Sequence, residues 1–293
     1  MTGAFPSATR RRDQSRAGCT VNTLWLVNGH STGVDPADRG LAYGDGLFET
    51  MAAADGVIRW FDLHLDRLEE GCRRLEIPAP SRSLLAHEIG THCPKNGRAV
   101  VKLIVTRGLG ARGYLPPEPA TPTRVLAIAP WPDFPDSNYR AGISARVCQL
   151  RLGESPALAG IKHLCRLEQV LAQLELRGYA VQQGLLLDTS GHVVGGTSSN
   201  LFAVRDGELI TPTLARCGIK GVMRRAVLES ARTLGIRAAE RDIALDDVMT
   251  ADEVFVTNAL FGIWPVTDVD GRHFAVGSTT RRLMSQLGFA NGR

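Results

Sequence analysis

The chain has 293 residues, of which 44% are hydrophobic, 22% charged and 6% aromatic. This is the composition of a globular protein of one large or two ordinary domains, and it excludes collagen-like and broadly disordered readings. No run approaches the about 18 consecutive apolar residues of a membrane-spanning helix. The net charge is +4, and +3 of it falls in residues 1–22, where Arg10, Arg11, Arg12 and Arg16 stand against Asp13. The near-neutral body gives no electrostatic case for nucleic-acid binding. Four lysines (Lys95, Lys102, Lys162 and Lys220) stand against 30 arginines, so any lysine chemistry has four candidates.

Residues 1–22 lack the apolar stretch of a secretory signal. They read as a disordered tail or an over-long start, with an Arg-rich transit peptide as the alternative. The body opens with a strand at Thr23–Gly29, followed by a glycine- and turn-rich stretch through residue 56. Phe61, Leu65, Leu68, Cys72 and Leu75 recur at spacings of four and three, which predicts an amphipathic helix over 62–76. A second helix is read at 84–94, and β-rich runs at 99–106 and 124–129. The segment PWPDFPDSNYRAG at 130–142, with three prolines, reads as a linker. Strands then alternate with helices: strands at 143–149, 184–188, 200–205 and 253–257, helices near 164–178 and 222–234. The expected organisation is a small N-terminal α/β domain at 23–131, a linker at 132–142 and a larger C-terminal domain at 143–293. The six cysteines are scattered, with no C-x-x-C pair. That pattern fits free thiols in a reducing, cytoplasmic compartment.

Two motif-like strings do not carry chemistry. Gly108 to Gly113 matches G-x-G-x-x-G after a strand, but YLPPEPATP follows, and a dinucleotide site needs a helix to open there. His87 and His92 in HEIGTH are five apart, so a helix does not bring both rings to one face, as the zinc motif requires.

Two other segments are more telling. Lys162 lies in ALAGIKHLC, among small and apolar residues. Desolvation lowers the pKa of a lysine, and a neutral amine forms imines with aldehydes; a lysine that snorkels to the surface is the alternative. Gly218 and Gly221 then precede a helix from about Val222. Glycines before a helix let the free amides of Val222 and Met223 converge on an anion; a plain helix start is the alternative. A phosphate cradle and an imine-forming lysine together suggest pyridoxal phosphate (PLP).

The segments DRGLAYGDGLFET at 38–50, HLDRL at 64–68, TRGLGARGY at 106–114, LAGIKHLCRLEQV at 158–170, GIKGVMRR at 218–225 and VTNALFGIWPV at 256–266 then fall in one familiar order. On them the chain resembles the fold-type IV PLP enzymes, the two-lobed α+β or α/β family of D-amino-acid and branched-chain aminotransferases. Within that family it is most similar to the aminodeoxychorismate lyases. The resemblance implies PLP bound to Lys162, which also moves a proton, and a phosphate held by Arg67, the Val222 and Met223 amides and the Asn258 region. It implies Tyr114 and Arg107 near the substrate, and a homodimer. The implied activity is conversion of 4-amino-4-deoxychorismate to 4-aminobenzoate and pyruvate, in folate precursor synthesis. A class IV amino-acid aminotransferase and a catalytically degenerate PLP-binding paralogue are the alternatives. Read from the residues alone, Arg67 beside Glu69 and Glu70 is better taken as a solvated helix-face arginine.

One position departs from the family. Where its pattern is Val-x-Glu-x-x-x-x-Asn-Leu-Phe, this chain reads Val193-Val194-Gly195-Gly196-Thr197-Ser198-Ser199-Asn200-Leu201-Phe202. The glutamate pairs with the pyridine nitrogen of the cofactor. Gly195 removes it, and no acidic residue lies within five positions. Water, Thr197 or Ser198 is left to contact the nitrogen, and a slowed lyase or a poorly catalytic binder is expected. Cys165 is a smaller departure, at a position the family usually fills with Asn.

Overall fold

Two sheets organise the computed structural model, which describes residues 23–290. The tail read at 1–22 and residues 291–293 of the C-terminal domain lie outside the described residues. The first part of the chain runs β1 (Leu24–Val27), α1 (Arg39–Tyr43), β2 (Gly46–Ala54), β3 (Val57–Ile58), α2 (Phe61–Leu75), α3 (Arg82–His92), β4 (Arg98–Thr106) and β5 (Thr123–Pro130). The second runs α4 (Ser137–Arg140), β6 (Ile143–Leu152), α5 (Leu167–Glu175), β7 (Gln183–Asp188), β8 (Val193–Gly196), β9 (Asn200–Arg205) and β10 (Glu208–Thr211). It continues through α6 (Val222–Thr233), β11 (Ala238–Glu240), α7 (Leu245–Met249), β12 (Glu253–Asn258), β13 (Gly262–Val269), β14 (Arg272–His273) and α8 (Ser278–Gln286).

The first sheet is antiparallel, in the order β1-β5-β4-β2-β3. The apolar stripe of α2 lies on it: Leu65, Leu68 and Cys72 are buried against Met51, Val101 and Leu103. Each such aliphatic side chain taken from water contributes roughly 1.5–3 kcal/mol. Helix α2 stops where Glu76 takes the left-handed conformation, φ +53°. The second sheet is mixed, in the order β11-β10-β9-β12-β13-β6-β7-β8, with β14 added on β13. Its core joins the stacked rings of Phe202 and Phe255 to Met223 and Val227 of α6 and to Leu283 and Met284 of α8. Between the sheets the chain at 131–142 is packed down rather than free. Phe134 stands edge-on to Phe261 and Trp264 of the second core.

The join between the two sheets places Lys162. Strand β3 pairs only with Ala53 and Ala54 of β2, leaving the first half of that edge open. The open edge takes up the 162–164 segment: the Phe48 N–H donates to the Lys162 carbonyl at 2.9 Å, and the Leu164 N–H donates to the Gly46 carbonyl at 3.0 Å. Residues bound to a strand edge cannot also be helical. Helix α5 therefore starts at Leu167, three residues later than the sequence pattern suggests.

Candidate active site

A cavity of about 360 Å³ opens between the sheets, with Lys162 in its wall. Its ammonium lies 4.2 Å from the centre of the Phe48 ring. Desolvation, reinforced by the nearby Arg67 charge, brings the Lys162 pKa down to about 7; Glu49 opposes this. At neutral pH the amine is therefore about half uncharged, which an imine-forming nucleophile requires. Lys162 does not snorkel outward, because its backbone is bound on the β2 edge and its side chain enters the cavity.

An anion-binding corner lies in the same wall. Helix α6 begins at Val222 behind Gly221, with no side chain capping its first turn. Val222 and Met223 line the cavity there. Their uncapped amides and the helix dipole favour a negative group. The loop before them is fixed by two sets of hydrogen bonds. Gly160 and the 218–220 segment exchange backbone bonds of 2.9 and 3.0 Å. The Asn200 side chain donates to the Ile219 carbonyl at 2.8 Å and accepts from the Gly221 N–H at 3.0 Å. A Cβ on Gly221 would come within 2.0 Å of the Asn200 Oδ1, so this close approach requires glycine. Across the corner, the Thr257 hydroxyl is buried without a partner and also lines the cavity. Free helix amides, an arginine and an unpartnered hydroxyl together suit a phosphate group.

Arg67 faces inward. Its Nε donates to Glu49 Oε1 at 2.8 Å, with a second contact from Nη2 to Oε2, and its Nη1 donates to the Lys220 carbonyl at 3.2 Å. The neighbours that suggested a solvated helix face are engaged elsewhere: Glu69 pairs with Arg82 and Glu70 with Arg73. Glu49 is 1% exposed. Burial alone would raise its carboxyl, but Arg67 and His64 overcome that and hold it at about 2. His64 is fully buried, and its Nδ1 donates to Glu49 Oε2 at 2.6 Å. Burial lowers the His64 pKa, so the ring meets the Glu49 carboxylate as a neutral donor and not as a second cation beside Arg67.

The other expected residues divide. Asn258 lines the cavity, but its Oδ1 accepts from the Leu260 and Phe261 amides at 2.9 Å each, shaping the turn that closes that end. Gly195 lines it with backbone alone, at φ +159°, and a Cβ there would meet the Ser199 carbonyl at 2.8 Å. No Asp or Glu lines the cavity among the described residues. Thr197 is engaged by Gln173, whose Nε2 donates to its Oγ1 at 2.6 Å. Tyr114 and Arg107 are not brought to the cavity. Tyr114 is 86% exposed and rests on Tyr43, with ring centres 5.5 Å apart. Arg107 is buried, paired with Asp45 at 2.8 Å, and donates to the Leu75 and Glu76 carbonyls. Glu49, His64, Asn200, Arg166 and Thr257 also belong to this site, and none of them stands out in the sequence. All five lie within the motifs named above, but their roles depend on tertiary contacts. Nothing local marks Glu49 and His64, which meet only because α2 packs on β2.

Comparison with known proteins places this geometry. The amino-transferase class IV family matches residues 46–269. The chain is 35% identical to an aminodeoxychorismate lyase of Vibrio harveyi, over 90% of this chain and 99% of that one. It is also 35% identical to a putative branched-chain-amino-acid aminotransferase of Methanocaldococcus jannaschii, over 85% and 88%. Among solved structures it resembles the 4-amino-4-deoxychorismate lyase of Pseudomonas aeruginosa, with 48% identity, a TM-score of 0.87 and coverage of 90% and 98%. The Escherichia coli branched-chain amino acid aminotransferase shares 25% identity at a TM-score of 0.79, over 92% and 94%.

Proposed function

The chain belongs to the amino-transferase class IV family, and from that membership we propose that it is a PLP-dependent aminodeoxychorismate lyase. The observation that carries the chemistry is Lys162, desolvated to a pKa of about 7 in a cavity one corner of which suits a phosphate. The lyase assignment within the family is supported by the 48% identity to the Pseudomonas aeruginosa enzyme.

When bound, PLP supplies an aldehyde that takes up an amine as an imine and a ring that withdraws electrons from the neighbouring carbon. The Arg67 guanidinium, the Val222 and Met223 amides and the Thr257 hydroxyl, all in the cavity wall, would hold its phosphate. Glu49 and His64 fix Arg67 from behind. Lys162 would hold the aldehyde group and, when displaced by the substrate's ring amine, would serve as the base. It takes the proton from the amine-bearing carbon. The adjacent carbon–oxygen bond breaks, the enol of pyruvate leaves with that proton, and the ring becomes aromatic as 4-aminobenzoate. No water is consumed.

Gly195 bears on the choice between lyase and aminotransferase. Elimination draws on the aromatic ring it creates and depends less on electron withdrawal by the cofactor. Transamination has no such driving force. A cavity without a carboxylate therefore favours elimination.

We also place the protein in the cytoplasm as a homodimer. Among the described residues no helix is long and apolar enough to cross a membrane, and five cysteines are free thiols. Leu167, Val170, Leu171 and Leu174 form an exposed apolar stripe on α5, the kind of face a second copy covers. Tyr114 would meet a substrate only across such an interface.

The test is to offer the PLP-loaded protein 4-amino-4-deoxychorismate and, separately, branched-chain amino acids with 2-oxo acids. Equal amounts of 4-aminobenzoate and pyruvate support the lyase. Amino-group exchange without 4-aminobenzoate supports the aminotransferase and overturns the proposal.

A further inference from the structure

Three cationic side chains line the Lys162 cavity: Arg67, Lys162 and Arg166. Arg67 is paired with Glu49, and Lys162 is the desolvated amine. Arg166 is different. Among the described residues it has no carboxylate within ion-pair distance. Its hydrogen-bond partner is the His163 ring, through Nε2. Burial and the adjacent guanidinium hold the His163 pKa at about 4, so this ring is a neutral acceptor and not a counter-ion. The Arg166 Nε is buried and unpartnered.

A second observation lies beside it. Gln169 lines the same cavity, and its Oε1 is also buried without a partner. Positions 166 and 169 are neighbours across the first turn of α5. Rotating the amide would present a donor there instead of an acceptor. A partly desolvated guanidinium without a counter-ion is unfavourable, and burial already lowers its pKa. No carboxylate of the cavity lining answers this charge, so an anion that enters with a ligand is the natural partner.

We propose that Arg166, with Gln169 beside it, recognises a carboxylate of the substrate. This rests on the lyase reading, under which the substrate and its aromatic product both carry a ring carboxylate. It makes Arg166 a specificity residue, separate from the phosphate anchor at Arg67. A guanidinium-to-carboxylate contact of this kind is planar and bidentate, which lysine does not reproduce.

The test is the binding of 4-aminobenzoate and of its neutral analogue 4-aminobenzamide to the PLP-loaded protein, by calorimetry, in wild type, Arg166→Gln and Arg166→Lys. The wild type should prefer the carboxylate. Arg166→Gln should bind it about 10- to 100-fold more weakly, the loss expected for a charged hydrogen bond. Its affinity for the amide should not change, and Arg166→Lys should fall between. KM for 4-amino-4-deoxychorismate should rise by a similar factor, with cofactor absorbance retained. A carboxylate preference that survives in Arg166→Gln overturns the assignment, even in an active lyase. So does loss of cofactor binding in both variants, which would make Arg166 a cofactor residue. A wild type that neither binds 4-aminobenzoate nor turns over substrate overturns the lyase reading, and this role with it.

Discussion

The lowered pKa of Lys162 makes a quantitative prediction about how the PLP-free protein takes up its cofactor. A lysine at its ordinary value of 10.5 is uncharged in about one molecule in 3,000 at pH 7. At about 7 it is uncharged in roughly half. The rate of imine formation, which requires the free amine, should therefore rise about tenfold per pH unit below 7 and level off above it. The assay mixes PLP-free protein with PLP across pH 5.5 to 9.5 and follows the imine absorbance. Two charges near the amine set the sign of further shifts. Arg67 pushes the Lys162 pKa down and Glu49 holds it up. Arg67→Met should move the break in the profile to higher pH, and Glu49→Gln should move it lower. A wild-type rate still rising through pH 9 would contradict a lowered Lys162 pKa. It would mean that the cavity does not desolvate the amine.

Arg67→Met should also weaken PLP far more than phosphate-free pyridoxal, because only the former uses the guanidinium; equal weakening in a binding titration would remove Arg67 from the phosphate corner. Glu49→Gln leaves Arg67 without its buried partner and should lower unfolding stability by about 3–5 kcal/mol in a denaturant titration at neutral pH. Because Glu49 sits at about 2 in the folded protein against an ordinary 4.5, the wild-type advantage is full above pH 4.5 and is lost as the pH falls to about 2. Gly195→Glu restores a carboxylate but forces a Cβ against the Ser199 carbonyl; turnover should rise while stability falls by about 1 kcal/mol. Gly195→Ala should carry the same stability loss without the gain, and equal turnover in the two variants would dismiss the electron-withdrawal argument.

Elements with a clean period were legible in the sequence. The stripe from Phe61 to Leu75 gave α2 to within one residue at either end. The runs at 99–106 and 124–129 became β4 and β5. Strand β2 was not legible. DGLFETMAAADG reads as turn-rich, yet it forms a nine-residue strand largely buried on both faces, so the alternation that marks a strand is missing. Strand β13 carries Pro265, which argues locally against a strand, but the register opposite Phe255 tolerates it. In the site, the chemistry-bearing lysine and the glycine loop were readable because both depend on neighbours in sequence. The orientation of Arg67 was not. Its adjacent glutamates suggested solvent, and only the packing of α2 on β2 turns it toward Glu49. Arg166 was hidden for the same reason, since the emptiness of its surroundings is a property of the folded cavity.

The account rests on Lys162 as the amine that carries the cofactor, and the four lysines make this directly measurable. The PLP-loaded protein is reduced with borohydride, digested and mapped by mass spectrometry for the pyridoxyl-lysine. One modified site is expected, Lys162, and a Lys162→Ala variant should show neither the adduct nor 4-aminobenzoate formation. A stoichiometric adduct on Lys102 or Lys220, or product formation by Lys162→Ala at a rate near wild type, would contradict it.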